Sequence, residues 1–301
     1  MGDLFHSRRG FAIIACLAAV CLWGASFVAT KIALDDFQPL LIILLRTIIG
    51  IFALFPFLIV SEGLTIPSRK DVPALVLLGF VGVAFYQWLQ AVGVQLTSAS
   101  QTSWLTASAP VFMVLMGWFF LKERIRRWQI IGLCLALGGG LLVASNGGGF
   151  PKGSADLLGP LIVFTSALVW AGYSVLAKYL LRGMHPIRLI FFSLVIGLIF
   201  LVPLVTIADG WTLPEHISPV SCLAVAFLGF GSTGLAYIFY FFALKEAEIT
   251  LVAVIQYLEP LITMLLASWL IAERVMVGGL VGGMLILGGV WLVNRYSPQW
   301  D

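Results

Sequence analysis

The side chains of this chain that could do chemistry are few, and they lie inside long apolar segments. Glu259 is the only carboxylate deep within such a segment. In a segment that spans a membrane, an ionisable group costs about 2.5–3.5 kcal/mol and must face the protein interior or water. Gln256 and Thr263 stand close to it in the sequence, so a helix would align the three residues in one polar stripe. The stripe fits either a ligand site or a structural, hydrogen-bonded glutamate.

Aromatic residues and amides recur in the same segments and could line a cavity. Many aromatics of membrane proteins belong to interfacial belts, but Tyr86, Tyr237 and Tyr257 lie well inside their segments. Aromatic faces with a few amides suit a small amphipathic ligand. The predicted ligand-binding residues are Trp23, Tyr86, Gln87, Trp104, Trp170, Tyr173, Tyr237, Gln256, Tyr257 and Glu259.

Signatures of catalysis are absent from the sequence. It has no phosphate-binding loop of the Walker A type and no His-Glu-x-x-His zinc motif. The three histidines lie near the ends of apolar segments. We therefore expect no enzyme, no ATP-driven pump, no cofactor and no metal site.

The composition is that of a polytopic, all-α membrane protein. Hydrophobic residues make up 61% of the chain and charged residues 10%, whereas soluble domains have about 25% charged residues. The net charge of +3 gives no indication of nucleic-acid binding. A bilayer core of about 30 Å needs about 20 apolar residues per helix. Ten segments meet this length, at 11–34, 39–60, 72–95, 99–121, 128–145, 157–181, 187–208, 219–243, 250–271 and 277–294.

The chain is an internal duplication. Residues 150 positions apart match in the pairs Pro110/Pro260, Glu123-Arg124/Glu273-Arg274, Gly132/Gly282 and Gly138-Gly139/Gly288-Gly289, and residues 147 apart match in Trp23/Trp170, Lys31/Lys178, Pro39/Pro186 and Gly50/Gly197. Five helices per copy is an odd number, so the second copy enters the membrane from the opposite side. The prediction is two inverted five-helix repeats, 1–146 and 157–301, joined by an outer linker at 147–156.

Pro110 and Pro260 stand at equivalent positions near the middle of the fourth and ninth segments. A proline inside a helix removes a hydrogen bond and crowds the carbonyl four residues earlier, which kinks the helix. We predict that both prolines act as hinges, and a static kink is the alternative.

Three cations also fall within apolar segments. Arg46 belongs to one half only, because its repeat mate is Ser193. Lys31 and Lys178 lie nearer the ends of their segments, where we expect them to extend to the membrane surface.

Lysine and arginine are distributed unequally between the two sides of the membrane. The side of the N-terminus carries Arg8, Arg9, Arg69, Lys70, Lys122, Arg124, Arg126, Arg127, Arg182, Arg188, Lys245 and Arg295, and the other side carries Lys152 and Arg274. Because short cytoplasmic loops are rich in Lys and Arg, both termini are predicted to be cytoplasmic.

Together these residues resemble the EamA-type branch of the drug/metabolite transporter superfamily. The resemblance covers the whole chain and rests on Trp23-Gly24-Ala25-Ser26-Phe27, Arg46, Ala109-Pro110-Val111-Phe112, Leu121-Lys122-Glu123-Arg124, Trp170-Ala171-Gly172-Tyr173, Leu258-Glu259-Pro260-Leu261 and Ile271-Ala272-Glu273-Arg274. The chain is most similar to bacterial inner-membrane exporters of aromatic amino acids.

This resemblance implies export by alternating access through a cavity between the repeats, in the bacterial inner (plasma) membrane. The implied partners are a small-molecule substrate, here an amino acid, and the lipid bilayer, but no nucleic acid, and the implied oligomeric state is a monomer or weak homodimer. Efflux of drugs or other metabolites, a passive channel and a membrane enzyme stay open as alternatives. A channel would show flux that does not saturate.

Overall fold

The structure is a computed structural model, and it describes residues 8–63, 66–122, 127–147, 158–208, 216–272 and 277–296. Within these ranges the chain is helical and has no strand. The helices are α1 (Arg8–Ala33), α2 (Pro39–Glu62), α3 (Val72–Leu96), α4 (Ala99–Thr106 and Ala109–Leu121), α5 (Arg127–Gly147), α6 (Leu158–Leu180), α7 (Pro186–Ala208), α8 (Pro219–Glu246), α9 (Ile249–Leu270) and α10 (Val277–Tyr296).

Seven of these helices are long and apolar enough to cross a membrane, among the residues that the structure describes. They are α1, α2, α3, α6, α7, α8 and α9. The protein is therefore a multi-pass membrane protein. The acid–base pairs Glu123-Arg124 and Glu273-Arg274, and the predicted linker 147–156 apart from Gly147, lie outside the described residues.

The first helix of each half packs against helices of the other half. Helix α1 contacts α8 and α9, and α6 contacts α3 and α4. This arrangement brings Trp23 of α1 and Trp170 of α6 together, with their ring centroids 5.3 Å apart and their planes perpendicular. The two tryptophans thus mark the centre of the helix bundle.

Glycines allow several helix pairs to approach closely. Gly50 of α2 lies against Thr233 of α8, and Gly197 of α7 lies against Val83 of α3. Helices α5 and α10 meet in the same way, because Gly139 faces the carbonyl of Gly282 and Gly289 faces the carbonyl of Gly132. A methyl group at any of these four glycines would collide with its neighbour. The glycines of α5 and α10 therefore pack the helices within one chain.

Lys31 and Lys178 cap the ends of helices. Lys31 Nζ donates to the carbonyl oxygens of Val94 and Thr97 at 3.2 and 3.0 Å, where α3 ends. Lys178 Nζ donates to those of Leu244 and Ala247 at 3.1 and 2.6 Å, where α8 ends. A cation is favourable at a helix C-terminus, where carbonyl groups lack partners. The structure thus shows a helix-capping role for both lysines, which the sequence did not predict.

The helices that contain Pro110 and Pro260, α4 and α9, both leave the regular α-helical pattern just before the proline. Helix α4 breaks at a turn over Ala107 and Ser108, and Pro110 stands in the first turn of the segment that follows. Helix α9 tightens into a 3₁₀ turn at Gln256–Leu258, and Pro260 is the second residue of the next α-helical segment, Glu259–Leu270. A proline in the first turn of a helix removes no hydrogen bond that the helix would otherwise have. The predicted kink in a continuous helix is therefore wrong for α4, where the helix is broken.

Helices α3 and α8 each contain a π-helical segment, which the sequence reading did not predict. These segments are Gly79–Phe85 and Leu228–Leu235, 150 residues apart. A wider helical turn rotates the side chains that follow it, and π-helical turns are frequent at functional sites. The segment in α8 supplies part of the central site.

Candidate functional site

A narrow cavity lies around the two central tryptophans, between α1, α2, α3, α4, α6, α8 and α9. Its lining residues are Trp23, Ser26, Arg46, Tyr86, Gln87, Gln90, Ser103, Thr106, Ala107, Pro110, Trp170, Ser232, Tyr237, Gln256, Glu259 and Pro260. The space open to the centres of water molecules is about 30 Å³. This is room for roughly two waters, so the cavity must widen before it can hold a larger molecule.

Aromatic rings form the apolar part of the cavity wall. Trp23 lies 5.5 Å from Tyr237 between ring centroids, in an edge-to-face arrangement. Trp170 lies 4.9 Å from Tyr86. Aromatic pairs at these distances attract each other beyond their area of contact. The rings are therefore held in place and offer their remaining faces to a ligand.

Arg46 contributes a buried positive charge. Its Nε donates to Thr233 Oγ1 at 2.9 Å and its Nη2 to Ser232 Oγ at 2.8 Å, both in the π-helical segment of α8. The residue is 5% exposed, and no carboxylate of the described residues forms an ion pair with it. A buried charge is costly unless it is paired. Arg46 is thus an oriented cation with donors available to an anionic ligand group.

Glu259 contributes a carboxyl group to the cavity wall. It begins the α-helical segment Glu259–Leu270, where the helix dipole favours a carboxylate. Its carboxylate has no hydrogen-bond or ion-pair partner within the part of the chain that the structure describes. Thr263 Oγ1 donates to the backbone oxygens of Gly24 and Glu259, both at 3.0 Å. Thr263 therefore joins α9 to α1 and leaves the carboxylate of Glu259 facing the cavity.

Two glutamines of α3 and one of α9 complete the polar wall. Gln87 Nε2 donates to Tyr237 OH at 2.9 Å, and Gln90 Nε2 donates to Tyr86 OH at 2.7 Å. Gln256 Oε1 accepts from Trp170 Nε1 at 3.3 Å. The other amide atom of Gln87, Oε1, is buried and has no partner among the described residues. A buried acceptor without a partner carries a desolvation cost that a ligand donor would remove.

The structure brings most of the predicted binding residues to this cavity. Those that line it are Trp23, Tyr86, Gln87, Trp170, Tyr237, Gln256 and Glu259, together with the predicted hinges Pro110 and Pro260. Trp104 and Tyr257 lie instead in a hydrophobic cluster with Ala136 of α5 and Ile286 of α10. Tyr173 packs its ring on Gly82 and lines a different groove.

Arg46 is the functional candidate that the predicted set of binding residues left out. The signal for it was present, because a cation in the middle of an apolar helix seldom occurs without a role. Ser232 joins it as its hydroxyl partner and also accepts from Trp23 Nε1 through its backbone oxygen at 3.1 Å. Neither interaction can be read from the sequence, since the partners are 209 and 186 residues apart along the chain. Among the described residues, no cluster of three His, Cys, Asp or Glu side chains could hold a metal ion.

Comparison with known proteins finds transporters. The model of the EamA-like transporter family matches residues 10–145 and again residues 157–295. An uncharacterized transporter of Archaeoglobus fulgidus is 28% identical, over 92% of this chain and 95% of its own length. The uncharacterized transporter YdfC of Bacillus subtilis is 30% identical, over 89% of this chain and 86% of its own.

A further relative and a solved structure extend this comparison. The relative is a probable terminal-alkyne amino-acid exporter of Streptantibioticus cattleyicolor, 28% identical over 94% of this chain and 93% of its own. A protein crystal structure superposes with a TM-score of 0.80 at 21% identity and covers 95% of this chain and 99% of that one. At this identity the superposition establishes the fold alone.

Proposed function

The chain belongs to the EamA-like transporter family, and we propose that it exports amino acids with aromatic side chains among its substrates. The observation that carries the proposal is the central cavity, where the guanidinium of Arg46 and the carboxyl group of Glu259 lie among aromatic rings without pairing with each other. An amino acid carries the complementary pair of charges and an apolar side chain. The amino-acid exporter among the relatives supports this substrate class.

Each part of an amino acid has a matching group in the cavity. The free donors of Arg46 suit the α-carboxylate, since guanidinium binds carboxylates with directed, charge-assisted hydrogen bonds. Glu259 and the unpaired Oε1 of Gln87 suit the three donors of the α-ammonium group. The faces of Trp23 and Trp170 suit an aromatic or other apolar side chain. The protein thus recognises the charges separately and leaves the side chain to shape and stacking.

The proposed architecture is ten membrane-spanning helices in two inverted repeats, with both termini in the cytoplasm of a bacterial cell. In support, the lysine caps and the close glycine contacts recur in the two halves at the offsets of the sequence repeat. Alternating access then requires the two halves to exchange shapes around the cavity. The narrow cavity corresponds to a closed state, and helices α4 and α9 are where we propose that it opens.

Transport by purified protein in liposomes tests the substrate class. We expect saturable, trans-stimulated uptake of labelled phenylalanine or tryptophan. Phenethylamine lacks the carboxylate and 3-phenylpropionate lacks the ammonium group, so each should compete with phenylalanine much more weakly than tryptophan does. Competition by phenethylamine that equals that of tryptophan would instead support drug efflux, for which Glu259 and the aromatic rings are sufficient. Uptake that does not saturate would contradict a carrier and support a channel.

A further inference from the structure

A second, wider cavity lies at the side of the helix bundle. It is a groove between α3, α4 and α6, lined among others by Leu77, Val81, Met116, Phe120, Gly172 and Tyr179. The space in it open to the centres of water molecules is about 590 Å³. The lining is almost wholly apolar, and the groove runs along the parts of α3 and α6 that cross the membrane. We call it the lateral groove.

Two glycines give the lateral groove its depth. A methyl group added to Gly172 would meet no atom within 4 Å, so the floor is open at this position. The ring of Tyr173, which also lines the groove, packs directly on Gly82, where any side chain would collide with it. In the other half, Ala25 stands at the position of Gly172. Phe227 and Gly231 correspond to the groove residues Leu77 and Val81, and the ring of Phe227 covers Gly231. The depth of the groove is therefore a feature of one half rather than a consequence of the duplication.

The rim of the lateral groove is basic. Each of its three helices meets cationic residues at the same end of the groove. Arg69 and Lys70 precede α3, Lys122 follows α4 and Arg182 follows α6. The guanidinium of Arg182 lies 5.9 Å from the ring centroid of Tyr179, which lines the groove. All four cations are exposed. Asp71 also lies at this rim, and its carboxylate accepts a hydrogen bond from Ser68 Oγ at 2.8 Å.

We propose that the lateral groove binds an anionic phospholipid, with one acyl chain in the groove and the phosphate on the basic rim. The apolar surroundings of a membrane offer acyl chains to fill such a groove, and basic sites at the ends of membrane helices attract anionic headgroups. The bound chain would lie against α6 beside Tyr173, whose ring centroid is 5.3 Å from that of Trp170 in the central cavity. The lipid thus supports the wall of the central cavity from outside. This inference does not depend on the nature of the exported substrate.

Native mass spectrometry of the full-length protein in detergent tests the proposal with phosphatidylglycerol and phosphatidylcholine of the same chain length. We expect the wild-type protein to retain more phosphatidylglycerol than phosphatidylcholine. Gly172→Trp fills the floor of the groove and should abolish retention. Gly288→Trp is the matched control, because Gly288 of α10 is also exposed with open space at its Cβ but lies outside the groove. Its retention should equal that of the wild type.

A second variant tests the basic rim without filling the groove. Arg182→Gln should reduce the preference for phosphatidylglycerol about five-fold, the effect of one basic residue at a membrane surface. Lys245→Gln removes an exposed charge from the end of α8, away from the groove, and should leave the preference unchanged. Equal retention of both lipids by the wild type would overturn the proposal. Equal loss of lipid from Gly172→Trp and Gly288→Trp would also overturn it. Because the readout is lipid binding, a failure here is distinct from a failure of amino-acid transport.

Discussion

The buried guanidinium of Arg46 is held by two hydroxyl groups and, among the described residues, by no carboxylate. Ser232 and Thr233 fix its plane, which leaves the other donors directed at a ligand. This geometry differs from a structural ion pair, in which the charge would already be neutralised. In the proposed function, Arg46 would therefore bind a substrate carboxylate with little reorientation of its guanidinium once the cavity has widened.

Replacement of Arg46 by glutamine should raise the KM for phenylalanine by roughly 10- to 100-fold, since a hydrogen bond to a charged group contributes about 1.5–3 kcal/mol. The inhibition constant of phenethylamine, which has no carboxylate, should not change. Arg46→Lys keeps the charge but not the forked donors, so its KM for phenylalanine should lie between those of the wild type and of Arg46→Gln. The measurement is competition for uptake into liposomes, with gel filtration to confirm that the variants are folded. An equal loss of affinity for phenylalanine and phenethylamine would show that Arg46 is structural.

Replacement of Glu259 should weaken the binding of ligands that carry an ammonium group, whereas replacement of Arg46 weakens that of ligands that carry a carboxylate. The unpaired carboxylate suits the ammonium group of the substrate, and glutamine keeps its shape without its charge. We expect Glu259→Gln to raise the KM for phenylalanine about tenfold or more, and to leave the inhibition constant of 3-phenylpropionate unchanged. Thr263→Val is the control, because Thr263 contacts only backbone oxygens of Gly24 and Glu259 in the described structure. If both inhibitors and phenylalanine respond alike to Glu259→Gln, the carboxylate serves packing or the conformational cycle instead.

At the scale of single residues, the sequence indicates which side chains lie inside the helix bundle better than it indicates which other side chains they contact. Trp23 and Trp170 are repeat mates in central apolar segments, and the structure places both at the cavity. Trp104 and Tyr257 are also aromatic residues inside apolar segments, but they pack with residues of α5 and α10. Only the packing of distant helices decides between the two outcomes. The same holds for Arg46, whose partners belong to the other half of the chain.

Among the elements, α4 and α9 differ from regular helices at equivalent places. Residues 107–108 form a turn that interrupts the α-helix, and Gln256–Leu258 form a 3₁₀ turn. The prolines that follow explain why a new helical segment begins there, and this much the sequence predicts. It does not predict the break itself or the π-helical segments of α3 and α8, because the hydrogen bonds that replace the regular pattern depend on the neighbouring helices.

Replacement of Pro110 by alanine should slow exchange. Alanine supplies the missing N–H and favours the helical state, so the two segments of α4 could join across the turn. We expect a lower maximal rate of phenylalanine counterflow with little change in KM, and a smaller effect for Pro260→Ala, because α9 is already continuous through its 3₁₀ turn. Pro56→Ala and Pro203→Ala are controls within α2 and α7, away from the cavity. Normal rates in Pro110→Ala and in the double variant Pro110→Ala/Pro260→Ala would show that the bending occurs elsewhere.

A contact outside the membrane-spanning helices joins the two halves. Asp36, in the turn between α1 and α2, accepts from the N–H of Ser218 at 2.9 Å and from its hydroxyl at 2.7 Å, at the start of α8. The backbone hydrogen bond from Ser218, with those from the hydroxyls of Ser221 and Ser218, lowers the pKa of Asp36 below its ordinary value of 3.8. The repeat mate of Asp36 is Gly183, so the contact exists on one side only.

The lowered pKa gives this contact a defined pH dependence. An acid with a lower pKa in the folded state stabilises the protein above its unfolded pKa, and this stabilisation is lost as the pH falls through the folded value. Asp36→Asn should therefore be less stable than the wild type at neutral pH, and the difference should shrink below about pH 4. Thermal unfolding in detergent between pH 3 and 7 measures it, and Asp35→Asn at the exposed neighbouring position is the control. A difference that does not vary with pH would contradict the role of the charged form.

At the scale of the whole molecule, the repeat organises both packing and the central site, but the site itself is asymmetric. Glycine contacts and lysine caps recur in both halves. In contrast, Arg46 and Glu259 each occur once, because their repeat mates are Ser193 and Ala109. In the proposed transport cycle, the duplicated frame would alternate between two shapes, and the single guanidinium and carboxyl group would set one orientation of the substrate.

The proposed inverted arrangement of the two halves makes a specific prediction about membrane topology. With both termini in the cytoplasm, the ends of α2 and α6 lie inside and the ends of α1 and α7 lie outside. Single cysteines at Arg69 and Arg182 should therefore react with a membrane-impermeant maleimide only after the cells are opened. Cysteines at Asp35 and His216 should react in intact cells whose outer barrier is permeable to the reagent.

The background should have the four native cysteines, Cys16, Cys21, Cys134 and Cys222, replaced by alanine, and retained phenylalanine transport confirms that each variant is folded. Labelling of the Arg69 and Arg182 positions on opposite sides would contradict an inverted repeat of five helices, because in that arrangement four membrane-spanning helices, α3 to α6, lie between the two positions.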